Sequence, residues 1–105
     1  MHAAAALTAS LTIVVFPAGT KKTLTCAPAG GTVANPSAAC RKLSALDAPF
    51  APVPEGTACT QLHGGDATAI VRGTFRGRRV WARFDLRNGC EIARWRRLSF
   101  LLGPS

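Results

Sequence analysis

Four cysteines in 105 residues, Cys26, Cys40, Cys59 and Cys90, constrain this chain more than any other feature. In a small domain such a set reads as two disulfide staples of the kind used by secreted proteins. The other uses of cysteine fit poorly. No two of the four stand as C-x-x-C, so a thioredoxin-type thiol pair is absent. The only histidines are His2 and His63, which leaves no plausible set of zinc ligands. Four cysteines allow three connectivities, and position alone does not choose among them. The simplest is sequential, Cys26 with Cys40 and Cys59 with Cys90. Loops of those lengths would contribute about 3 and about 3.5–4 kcal/mol by chain entropy.

Length sets the rest of the frame: residues 1–105 make one domain with one modest core. Charge is lopsided, with 13 Lys and Arg against five acids, and nine of the 13 lie from Arg72 onward, where only Asp85 and Glu91 oppose them. That half attracts anionic partners and surfaces. The arginines are dispersed through apparent strands, and no RNP, zinc-finger or helix-turn-helix pattern accompanies them, so no specific nucleic-acid site is expected. The N-terminal M-H-A-A-A-A-L-T-A-S-L-T-I-V-V-F run lacks a basic lead, and Thr8, Ser10 and Thr12 interrupt its apolar stretch. It resembles neither a signal peptide nor a membrane span. An export signal, if used, would have been removed or would lie outside this chain.

Periodicity predicts the elements. Leu7 to Val15 alternates with period two, as a half-buried strand does. Pro17-Ala18-Gly19 is a turn signal, and Lys21 to Cys26 alternates again, giving a hairpin. Asn35 can cap a helix that starts at Pro36 and carries Ala39, Leu43 and Leu46 on one side, over about 36–46. The three prolines within residues 47–58 exclude helix there. Ala69–Phe75 and Arg79–Arg87 read as strands joined at Arg76-Gly77. In the second, Val80, Ala82, Phe84 and Leu86 share one face. Arg79, Trp81, Arg83, Asp85 and Arg87 share the other. Asn88 with Glu91 three residues later has the form of a capping box, with a short helix over Ile92–Arg97. Leu98–Leu102 is expected as a final edge strand. The sum is an α+β domain: a five-stranded antiparallel sheet, two short helices on one face and two disulfides.

The motifs resemble those of a known family, the Streptomyces subtilisin inhibitors. Cys26-Ala27-Pro28, Gly31-Thr32 and Ala39-Cys40-Arg41-Lys42-Leu43 follow its C-x-P, G-x-H-P and A-C-x-x-L blocks, with Val33-Ala34 in place of the His-Pro. Gly73-Thr74-Phe75-Arg76-Gly77-Arg78-Arg79-Val80 follows its G-x-W-x-G-[KR]-R-V block, with Phe75 at the Trp position. Asn88-Gly89-Cys90-Glu91 follows its Asn two residues before Cys-Glu. The resemblance runs from about Leu7 to Phe100. It implies the sequential disulfides, secretion, and a homodimer closed through the open sheet face. It also implies inhibition of subtilisin-like serine proteases, and in some members of metalloproteases. No cofactor is implied.

By the same resemblance the inhibitory loop follows the third cysteine: Cys59, Thr60, Gln61, Leu62 and His63, with Gln61–Leu62 as the reactive bond and Asn88 as loop support. Asn88 has the rival role of helix cap. Gln61 suits a broad subtilisin pocket and suits trypsin poorly. The chain departs from the pattern at Thr60, where the family has proline, and at His63-Gly64-Gly65-Asp66-Ala67. The interval from Cys59 to Gly73 is one residue longer than usual. Adjacent glycines are expected to loosen the loop. His63 has no nucleophile or second ligand beside it and reads as a solvated loop residue.

Two functions compete. The first is a protease inhibitor, a binding protein and no enzyme, since no acid–base pair or nucleophile motif is visible. The second is a non-inhibitory interaction domain of the same fold, binding partners through a basic sheet face around Trp81, Arg83 and Arg87. Trp81, on the face away from the core, marks a partner surface. For a symmetric dimer, Arg79, Arg83 and Arg87 on that face would repel unless Asp85 or chloride intervened.

Overall fold

A computed structural model describes residues 7–104. His2 and the start of the alanine-rich N-terminus lie outside the described residues. Strand β1 (Ala9–Phe16) turns at 17–19 into β2 (Thr20–Cys26), which pairs with the two-residue β3 (Gly30–Gly31). Helix α1 (Pro36–Ala45) follows, then an irregular stretch, β4 (Thr68–Phe75), β5 (Arg78–Phe84), α2 (Gly89–Arg97) and the single-turn α3 (Ser99–Leu102). The sheet order is β3-β2-β1-β4-β5, antiparallel throughout.

Alternation decides which face is buried. Leu11 and Ile13 of β1, Leu24 of β2, Ala69 and Val71 of β4, and Ala82 and Phe84 of β5 all point into one core. The helices cover that face. Ala39 and Leu43, four residues apart, are the buried side of α1. Its start is capped as expected, Asn35 Oδ1 accepting from Ala38 N–H at 3.2 Å, with Pro36 as first residue. Trp95 fills the centre of the core from α2, and its indole N–H donates to Gly103 O at 2.9 Å, tying α2 to the chain end. Cys26 bridges to Cys40, stapling β2 to α1, and Cys59 bridges to Cys90.

The expected α+β fold with five antiparallel strands is present, but the fifth strand is a different one. Leu98–Leu102 is helical: Leu98, Leu101 and Leu102 are all buried, and that i, i+3, i+4 spacing brings three side chains to one side of a turn, where a strand would separate them. The fifth strand is Gly30–Gly31, too short and without side chains to show a period. A second correction concerns β5, which ends at Phe84 and not at Arg87. Asp85 therefore leaves the outer face and turns inward. Its side chain is 11% exposed and accepts from Arg83 Nη1 at 2.9 Å and from Arg87 N–H at 3.1 Å. Arg87 lies beyond the sheet, 3.8 Å from both Asp85 and Glu91.

The early part of the irregular stretch after α1, at Phe50 and Ala51, is anchored by a side chain of α2. Arg94 of α2 donates to Ala51 O at 3.0 Å, Phe50 O at 3.3 Å and Arg83 O at 2.6 Å. Its guanidinium stacks on Phe84, 4.0 Å from the ring centre, and faces Glu91 Oε1 at 3.6 Å. That last distance is an ion pair and too long for a hydrogen bond. Burial lowers the Arg94 pKa from its ordinary value, while Glu91 and then Asp85 raise it. Arginine stays charged under all such conditions.

Candidate functional site

Residues 57–65 carry neither helix nor strand, and Thr60–Asp66 is exposed throughout. Within this stretch Leu62 is 62% exposed, a large apolar side chain held out in water.

The loop is tied at both ends, and every tie comes from residues 86–92. At the first end, Cys59 is bonded to Cys90 with Cα atoms 5.4 Å apart, and Thr60 O accepts from Gly89 N–H at 3.1 Å. Gly89 is the first residue of α2, so this N–H has no partner within the helix and is available to the loop. A side chain at Gly89 would land on Thr60 Oγ1, so the close approach needs glycine there. At the second end, Gly64 N–H donates to Leu86 O at 2.7 Å. A Cβ on Gly64 would sit 2.9 Å from Ile92 Cδ1 and 3.3 Å from Leu86 Cβ. The bare backbone of Gly64 is thus seated on an apolar platform. Gln61, Leu62 and His63 arch between the two ties, all exposed.

Asn88 caps α2, its Oδ1 accepting from Glu91 N–H at 3.0 Å with extended backbone at φ −156°. The cap fixes where α2 begins, with Gly89 as its first residue. His63 Nε2 lies 3.5 Å from Asp66 Oδ1, both well exposed, a pairing worth little in water. Among the described residues, no group of three or more His, Cys, Asp or Glu side chains could hold a metal, and no helix is long and apolar enough to cross a membrane.

The two cysteines are visible in the sequence, while the contacts of Gly64, Leu86, Gly89 and Ile92 are not. Adjacent glycines alone suggest a loose segment. Gly65, at φ +128°, has that freedom, but Gly64 is a seat. No local pattern could reveal this, because Leu86 and Ile92 meet Gly64 only across more than 20 residues of chain.

A five-stranded antiparallel sheet, helices on one face and a disulfide-tethered exposed loop define a small stapled α+β domain. A family model described as subtilisin inhibitor-like matches residues 3–88, most of the chain and the whole of the loop. The chain belongs to the subtilisin inhibitor-like family. Comparison with curated proteins gives no match.

Proposed function

We propose that the chain inhibits subtilisin-type serine proteases outside the cytosol by presenting Gln61–Leu62 as a slowly cut, substrate-like bond. The observation that carries this reading is the double tether of Thr60–Gly64, with Gln61 and Leu62 exposed between its ends. Two disulfides suit an oxidising compartment. Membership of the family supports a protease as partner.

The mechanism is preorganisation. A loop already tied at both ends loses little entropy on entering a protease cleft. It pairs main chain to main chain, as an added strand. Attack on the Gln61 carbonyl splits the bond, but the ties at Thr60 and Gly64 keep the new amine beside the acyl group. Religation then competes with release. Asn88 supports the loop indirectly by fixing the start of α2.

Incubation with catalytic amounts of subtilisin is expected to give one slow cut, between Gln61 and Leu62. The product should migrate as an intact 11.0 kDa protein until reduced, because Cys59–Cys90 spans the cut. Fast cutting at several bonds in 59–66, with protease activity undiminished, would instead make the loop an ordinary substrate and favour the interaction-domain reading. Gly64→Ala supplies a finer check. The added methyl displaces the loop from Ile92 and lengthens the bond to Leu86, which should weaken inhibition by about tenfold, the loss of about one hydrogen bond's worth of rigidity. Equal inhibition by the variant would show that the Gly64 seat is idle.

A further inference from the structure

The outer face of the sheet has no cover in the fold, and its register sorts its side chains into three rows. Lys21, Val14, Ile70 and Arg83 stand abreast, then Thr23, Thr12, Arg72 and Trp81, then Thr25, Ser10, Thr74 and Arg79. Four cations therefore share one face. None of the five acids of the chain stands in these rows. Asp85, placed there by strand alternation, is turned inward, where of these four cations it meets only Arg83. Arg72 and Arg79 have no acid beside them on the sheet. They flank a groove of about 630 Å³ whose wall includes the hydroxyls of Ser10, Thr12 and Thr74 and the ring of Trp81. Trp81 is 67% exposed.

We infer that this face binds an acidic polysaccharide chain. Charge complementarity sets the sign of the ligand: guanidinium groups take carboxylate or sulfate oxygens in bidentate fashion. The hydroxyls match the hydroxyls of a sugar, and one indole face offers a flat apolar surface to a pyranose ring. A single-stranded nucleic acid fits less well, since stacking platforms for bases use successive aromatic rings and these rows hold one. A second copy also fits less well. Two such faces in symmetric contact would bring eight cations, four from each copy, into one interface with no acid in the facing rows.

The test uses the oxidised full chain and a heparin oligosaccharide, which carries both sulfate and uronate groups, with binding read by titration calorimetry at moderate salt. The double variant Arg72→Gln/Arg79→Gln and the control Arg41→Gln/Arg97→Gln both have net charge 8 − 2 = +6. All four positions are exposed, so both variants should fold. The sheet-face pair is expected to weaken binding by about tenfold or more, and the control by about twofold. Trp81→Ala, which changes no charge, should also cost about tenfold. The native chain should bind heparin more tightly than poly(dT) at equal salt. Inhibition of subtilisin should be the same in all variants, so this inference and the protease reading fail separately. Equal losses in the two charge variants would reduce the effect to overall charge and overturn the inference. Tighter binding to poly(dT), or a sedimenting dimer that heparin leaves intact while Trp81 is shielded, would overturn it in favour of the other occupants.

Discussion

Replacing Cys59 and Cys90 together by serine should abolish inhibition and lower stability by about 3.5–4 kcal/mol, the chain-entropy value for the loop that this bridge closes. Against the 5–15 kcal/mol typical of a domain, that is a large share. The effect on inhibition follows from what is left. Without the bridge, the first end of the loop hangs on Gly89 N–H···O Thr60 and the second on Gly64 N–H···O Leu86. Each such bond contributes about 1 kcal/mol net, too little to hold a cut loop closed. The variant should become a substrate, cleaved and released. The matched control is Cys26→Ser/Cys40→Ser. That bridge joins β2 to α1, away from the loop. Its removal should cost about 3 kcal/mol of stability while the folded fraction still inhibits. Urea unfolding gives the stabilities, and protease titration below the unfolding transition gives the inhibition. Equal inhibition with and without Cys59–Cys90 would mean that the tether does not matter.

Arg94→Met should destabilise the fold by about 3–5 kcal/mol, the range for breaking one partner out of a buried ion pair. The change leaves Glu91, whose side chain is only 10% exposed, with Arg87 alone at 3.8 Å, and deprives Ala51, Phe50 and Arg83 of a donor to their carbonyls. Methionine keeps the stem but neither the charge nor the fork. Arg94→Lys should recover little, because a single ammonium cannot reach three carbonyls in different directions while stacking flat on Phe84. The consequence for the site is indirect. Arg94 shares α2 with Gly89, Cys90 and Ile92, so loss of its anchors loosens the element that holds the loop. A loss below about 1 kcal/mol in denaturant titrations would place the Arg94 network at the level of ordinary surface pairs.

The parts of the fold that were legible in the sequence are those with a local cause. Alternation gave β1, β2, β4 and the buried side of β5, because a half-buried strand must alternate. Asn35-Pro36 and Asn88 with Glu91 gave both helix starts, because the unpaired N–H groups there require an acceptor. The cysteine contexts and the Gly73–Val80 block gave the family. Failures came where distant contacts decide. Leu98–Leu102 is apolar at every second position and also at helical spacing, and packing of α3 against β1 and α2 selects the turn. Asp85 fits the alternation of β5, but the strand ends at Phe84, and Arg83 and the Arg87 amide draw the carboxylate in. Arg94 was invisible because its partners lie 43 and 44 residues earlier in a stretch with no regular structure. The loop followed the same division. The cysteine at its start is readable, and its contacts with Leu86, Gly89 and Ile92 are not, since those residues meet it only across the fold.

The central claim, that the segment after Cys59 is a tethered inhibitor of subtilisin-type proteases, is tested most directly by titrating a known concentration of subtilisin active sites with the oxidised protein. The account predicts that activity falls linearly to near zero at a fixed molar ratio and stays low over hours. A residual activity that returns as residues 59–66 are degraded, or no loss of activity at any excess of the protein, would contradict it.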